Sequence, residues 1–138
     1  MSESALDRPH LAIVTDDISL SHFLTEGLVY EGFWTSAIGS GLQFLEVLRL
    51  RTFDAVLLDA GLGDITVVEV IRRMRGTSDR TEPGLPRSEM PAIVIAGVPG
   101  EIARSQVMAA GGQLLLEPPL EIDEVGAIVK QLLAQSGM

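Results

Sequence analysis

Short apolar runs alternate along this chain with segments whose apolar residues recur every three or four positions, and that alternation predicts its architecture. Leu11-Ala12-Ile13-Val14 is too short for a helix and has no polar face, the pattern of a strand buried on both sides. Thr15-Asp16-Asp17 ends it. Leu20, Phe23, Leu24, Gly27 and Leu28 then share one helical face, with Gly32 placed to stop the helix. Phe33 to Ala37 reads as a second strand containing Trp34, and Gly39-Ser40-Gly41 leads into a helix carrying Leu42, Leu45 and Leu48. The third strand, Ala55 to Leu58, is entered from Phe53 and stops at Asp59. Gly61 and Gly63 turn the chain, and Asp64 is placed to cap a helix with Val67, Val68, Ile71 and Met74 on its apolar face.

Residues 76–90 interrupt the alternation with prolines, glycines and charges, which predicts a loop longer than such connections usually are. Pro91 opens a fourth strand, Ala92-Ile93-Val94-Ile95-Ala96. A turn from Gly97 to Gly100 follows, then a helix from Ile102 to Ala110 ended by Gly111-Gly112. The fifth strand is Gln113-Leu114-Leu115-Leu116, and after Glu117-Pro118-Pro119 the last helix presents Ile122, Val125, Val129 and Leu132. Five strand-then-helix units in succession predict an α/β fold with right-handed crossovers and a parallel sheet covered on both faces. No repeat or composition shift divides the chain, so 1–138 reads as a single domain with a polar, flexible tail over 1–9.

The bulk numbers narrow the function classes. A formal charge of −9 argues against nonspecific binding to nucleic acid or to an anionic membrane, which needs clustered Lys and Arg. The chain has no cysteine, which removes disulfides, thiolate metal sites and a cysteine nucleophile. Apolar residues make up 46% of it, yet no run approaches the roughly 20 residues of a membrane span. A cytoplasmic protein is expected.

The candidate chemistry lies at the strand ends. Asp16, Asp17 and Asp59 close strands one and three, and in open α/β sheets the carboxyl edge of the strands is where ligands bind. Three carboxylates converging there would repel one another, and a hard cation such as Mg²⁺ would relieve the repulsion. A phosphoryl group could then be received by one carboxylate. The plain alternative for Asp59 is a turn-forming or capping aspartate, but a second acidic site at a neighbouring strand end weighs against it.

Over nearly its whole length the chain resembles the receiver domain of two-component response regulators. The resemblance rests on the acidic residues Asp16 and Asp17 after the first strand and on the run Phe-Asp-x-Val-Leu-Leu-Asp ending at Asp59. Pro91 before strand four, Pro118 after strand five and the separation of Asp16 from Asp59 add to it. It implies a flavodoxin-like (βα)5 doubly wound parallel sheet with strand order 2-1-3-4-5. It also implies that Asp59 is the phosphoacceptor, served by a histidine kinase or phosphotransfer protein, with Mg²⁺ held by Asp16, Asp59 and the backbone carbonyl of Gly61. Asp17 and Glu117 are further candidate ligands. The chain would act on a downstream protein partner rather than as an enzyme.

Four positions depart from the family pattern. Thr15 stands where the first acidic residue is usual, Ala96 where a hydroxyl residue ends strand four, and Leu114 where an aromatic reports the switch. Glu117 replaces the lysine that pairs with the phosphoryl oxygens, and the chain's single lysine, Lys130, lies well down the last helix. At about 5 Å and an effective dielectric near 20 one charge pair is worth roughly 3 kcal/mol, so exchanging attraction for repulsion shifts the site by up to about 6 kcal/mol. The expectation is a receiver with impaired or atypical switching. The competing reading is a pseudo-receiver that binds partners without phosphate, as a homodimer or with another protein, through the fourth helix, fifth strand and last helix, where Ala103, Ala109 and Ala110 allow close approach. A flavodoxin-like binder of a small phosphorylated ligand is a more distant third.

Other residues attract bland readings. His10 and His22 read as surface histidines without partners, in the tail and on a polar helix face. Gly97-Val98-Pro99-Gly100 lacks the spacing of a nucleotide-binding loop. Ser19, Ser21 and Ser105 have no triad context, so hydrolase chemistry finds no support.

Overall fold

A computed structural model describes residues 8–136 apart from 82 and 86, so most of the segment read as a tail, 1–9, lies outside the described residues. Ten elements alternate along the chain: β1 (His10–Val14), α1 (Ile18–Tyr30), β2 (Trp34–Ile38), α2 (Gly41–Leu48), β3 (Ala55–Asp59), α3 (Val67–Arg75), β4 (Ala92–Ile95), α4 (Arg104–Ala110), β5 (Leu114–Leu116) and α5 (Ile122–Ser136). The strands form one parallel sheet in the order β2-β1-β3-β4-β5. The alternation predicts the parallel sheet covered on both faces, and the strand order is the doubly wound flavodoxin-like one that the resemblance implies.

The unbroken apolar runs of β1, β3 and β4 follow from burial on both sheet faces. Ala12, Val14, Val56, Leu58, Ala92 and Val94 face a core completed by Phe44, Val70, Ile71, Met74 and Val107 of α2, α3 and α4. The alternate residues Leu11, Ile13, Ala55, Leu57, Ile93 and Ile95 face Leu24, Leu28, Val125 and Val129 of α1 and α5. Phe33 and Phe44 are fully buried, one on each side. Each such side chain contributes about 1.5–3 kcal/mol relative to exposure.

Polar side chains cap the N-termini of α1, α2 and α3, in one case differently from expectation. Asp64 does not cap α3. The N-cap is Thr66, whose side chain accepts from the N–H of Glu69, and Gly76 closes the helix at φ +74°. Asp64 reaches instead to the neighbouring helix, where its two carboxylate oxygens accept from the N–H groups of Gly41 and Leu42 at 3.2 and 2.9 Å. The first turn of a helix leaves its N–H groups unpaired, and those of α2 lie beside the loop that carries Asp64. Helix α4 starts two residues later than its apolar pattern suggests, with Ile102 packed against the core ahead of it.

The long 76–90 connection has no helix or strand among its described residues, yet it is tied down. Ser88 donates its N–H to the Met74 carbonyl at 2.8 Å. Arg75, a residue only 8% exposed, donates from its guanidinium to the carbonyls of Ser88 and Gly111 and to Gln113 Oε1. Gln113 Oε1 also accepts from the Ala92 N–H at 2.6 Å, which joins α3, the loop, β4 and the approach to β5. No described helix is long and apolar enough to cross a membrane.

Candidate functional site at the carboxyl edge of the sheet

Because β3 lies between β1 and β4, the residue that ends it is flanked by the ends of both neighbours. Asp59 occupies that position and is 8% exposed. Its two oxygens have separate donors. Thr15 Oγ1 donates to Oδ2 at 2.6 Å, and the Gly61 N–H donates to Oδ1 at 2.8 Å. Thr15 is oriented in turn by the Asp17 N–H, which donates to Oγ1 at 3.0 Å. A carboxylate offers about four lone-pair sites, so two donors leave acceptor capacity on both oxygens.

Asp16 stands on the same edge and accepts from the Gly63 N–H at 3.2 Å, which links the end of β1 to the loop after β3. Asp17 takes another role as the N-cap of α1, accepting from the Leu20 N–H at 3.1 Å. The expected convergence of three carboxylates is therefore corrected: among the described residues no group of three His, Asp or Glu side chains is placed to hold a metal ion. The cause is local, since the helix that begins at Ile18 claims the preceding carboxylate for its own unpaired N–H groups. Beside Asp16 and Asp17 a shallow cavity of about 300 Å³ is lined also by Ser21 and the exposed His22.

On the other flank the departures from the family pattern take physical form. Ala96 follows β4 with only 2% exposure and brings no hydroxyl. Glu117, exposed after β5, accepts from the Gly100 N–H at 2.7 Å. Leu114 is half-buried and packs against the α1–α5 core. Lys130 cannot serve this edge, because its ammonium lies 5.9 Å from the centre of the Phe33 ring, before the start of β2.

One acidic residue beside the site escaped the sequence reading. Glu101 Oε1 accepts from the Gly97 N–H at 2.6 Å, and its other oxygen would stand 3.1 Å from a Cβ built on Gly61. The available signal was a glutamate four residues beyond the glycine that opens the turn after strand four, which no periodicity distinguishes. His10 is a second correction. It lies in β1 rather than in a tail, and it has partners: Ser36 Oγ at 2.6 Å from Nε2, Arg51 Nη2 at 3.0 Å from Nδ1, and the edge of the Phe53 ring. Desolvation and the Arg51 charge hold its pKa below the ordinary value, partly opposed by Asp54. This cluster lies at the opposite, amino edge of the sheet.

A five-stranded doubly wound sheet with an aspartate at the end of its third strand defines a class before it defines a protein. No protein-family model matches the chain. Among solved structures, a CheY-like response regulator receiver domain protein from Methanospirillum hungatei superposes with a TM-score of 0.78 at 17% identity, covering 94% of this chain and 96% of that one. The receiver domain of sensor histidine kinase PA1611 from Pseudomonas aeruginosa, with a magnesium ion coordinated in its active-site cleft, gives 0.76 at 19% identity, covering 92% and 98%. In sequence the chain is 31% identical over 88 residues to regulatory protein VirG of Agrobacterium tumefaciens, 64% of this chain and 29% of that one. It is 41% identical over 71 residues to the DNA-binding response regulator MtrA of Mycobacterium leprae, 51% of this chain and 32% of that one. The chain thus has the receiver-domain fold of two-component response regulators, and response regulators are among its relatives in sequence. It spans between 29% and 54% of the length of the first of those relatives.

Proposed function

We propose that this chain is a receiver in which Asp59 accepts a phosphoryl group from a histidine kinase or phosphotransfer protein, with weak coupling of that event to conformation. The support is the setting of Asp59 itself, a carboxylate at the ligand-binding edge of the sheet, positioned by one donor on each oxygen and with lone pairs to spare. In the transfer an Asp59 oxygen forms a bond to phosphorus while the bond from phosphorus to the donor breaks, its electron pair leaving with the donor. Weak coupling follows from Ala96 and Glu117, which offer the phosphoryl oxygens neither a hydroxyl nor a cation. A group with little differential affinity for a second state cannot drive the chain into it.

The donor set fits Mg²⁺. Asp16, Asp59 and the Gly61 carbonyl are hard oxygen donors, and Mg²⁺ commonly takes one or two carboxylates and completes its shell with water and phosphate oxygens, so a third carboxylate is not required. Asp17, engaged as a helix cap, is a poor ligand candidate. When bound, the cation would neutralise charge on the transferring phosphoryl group. Incubation with acetyl phosphate and MgCl₂, read by intact mass, should add one phosphate that is lost in Asp59→Asn. An unlabelled, folded parent protein would overturn the reading.

A second reading, a partner-binding module that works without phosphate, draws support from the α4 surface. Ala103, Ala109 and Met108 are exposed, whereas Ala110 packs into the core. Solution mass by light scattering across a concentration series tests the homodimer, and an exposed substitution such as Gln106→Glu should weaken it.

A further inference from the structure

The turn after β4 is closed by two carboxylates from different parts of the chain. Gly97 donates its N–H to Glu101 Oε1 at 2.6 Å, and Gly100, at φ +81°, donates its N–H to Glu117 Oε2 at 2.7 Å. Backbone N–H groups in a tight turn form an anion receptor, and here both are taken by the protein's own anions. Glu101 does more than shape the turn. A Cβ on Gly61 would be 3.1 Å from Glu101 Oε2 and 3.4 Å from Asp59 Oδ1, so both carboxylates border the space that a side chain at position 61 would fill. Asp59 Oδ1, whose donor is the Gly61 N–H, therefore opens onto space that a second negative charge already borders.

The geometry points to Glu101 as a gate on Asp59, a residue that keeps anionic phosphodonors away from the carboxylate until it swings outward, with Glu117 holding the turn in the closed form. This inference rests on the receiver reading and adds a specific control to it. Glu101 is exposed, so the outward swing breaks its bond to Gly97 and disturbs no core side chain. Opening also frees the Gly97 N–H for an oxygen of the incoming group. Glu101 touches no reacting atom and acts through charge and occupancy, so it is a positioning residue.

The test compares the parent protein with Glu101→Gln, Glu101→Asp and Glu117→Gln. It reads labelling rate against acetyl phosphate concentration in MgCl₂, melting temperature, and the response of the Gly61 and Gly97 amide resonances to inorganic phosphate. Removing one like charge from a partly solvated site should raise the second-order labelling rate of Glu101→Gln about tenfold. The gain should appear at low donor concentration and without a matching change in melting temperature, while Glu101→Asp, which keeps the charge, stays closer to the parent. Equal labelling of parent and Glu101→Gln would overturn the gate and leave the phosphoacceptor reading standing. If nothing labels but inorganic phosphate shifts both amides at lower concentration in Glu101→Gln, the gate stands and the phosphoacceptor reading falls. No labelling together with unchanged phosphate response would overturn both.

Discussion

Thr15 and Asp59 meet across the β1–β3 pair, the threonine hydroxyl donating to the carboxylate at 2.6 Å where both side chains are more than nine-tenths buried. Where the resemblance implies a further negative charge beside Asp59, Thr15 supplies a hydrogen-bond donor. Thr15→Val keeps the shape and removes that donor, which should cost about 1–2 kcal/mol in urea unfolding, since Asp59 Oδ2 would be left in the buried site without its partner. Thr15→Asp should lower stability in EDTA and gain more from MgCl₂ than the parent does, because two adjacent carboxylates need a cation. Identical Mg²⁺ responses in the two proteins would show that position 15 does not face the cation.

The far side of the site offers the opposite experiment. Glu117→Lys combined with Ala96→Thr replaces a repulsion by an attraction and adds a hydroxyl, so labelling by acetyl phosphate should rise at least about tenfold. A folded double variant with no gain would mean that these two residues do not border the phosphoryl position.

Arg75 tests how much of the stability depends on a charged residue inside the fold. Its guanidinium satisfies two carbonyls and the Gln113 side chain, so Arg75→Met should cost about 3 kcal/mol by stranding those acceptors. Arg73 makes a 2.7 Å pair with Glu69 four residues back along the same helix, and Arg73→Met should cost less than about 1 kcal/mol. Chemical denaturation of the two variants side by side checks the contrast. Similar losses would argue that the 76–90 connection does not depend on Arg75.

His10 and Asp64 each make stability rise with pH, in separate windows. Neutral His10 is favoured in the fold, first by desolvation and then by Arg51, so its pKa lies below 6.5. The unfolded chain therefore binds the extra proton first, and stability should fall as pH drops below 6.5 through the folded pKa. His10→Gln should flatten that interval. Arg51 can only donate, so His10 Nδ1 must accept and Nε2 must carry the proton toward Ser36, which nitrogen chemical shifts will report. Desolvation is the largest single influence on Asp64 and raises its pKa, but the backbone N–H groups of Leu42, Gly41, Asp64 and Ile65 together outweigh it and hold the carboxyl below 3.8. Asp64→Ala should cost about 1 kcal/mol at neutral pH, a difference that shrinks as pH falls below 3.8 and the parent's carboxylate takes up its proton.

The five strands and five helices, their order, and the placing of Asp16 and Asp59 at one sheet edge follow from the sequence alone. They could be read because burial on both sheet faces leaves unbroken apolar runs in β1, β3 and β4, and helices that cover a sheet leave a period near 3.6. Direction was not legible, because a polar side chain's partner depends on which unpaired donor lies nearest in space. Asp17 turned to the first turn of its own helix, Asp64 to that of a neighbouring one, and Arg75 to carbonyls 13 and 36 residues away. The approach of Asp59 and Glu101 to the same face of Gly61 belongs to the same group. It exists because parallel pairing of β3 with β4 sets Asp59 opposite Ile95, two residues before the turn that Glu101 closes. No spacing within a single segment encodes that distance, since it arises only when two strands far apart in sequence are hydrogen-bonded in register.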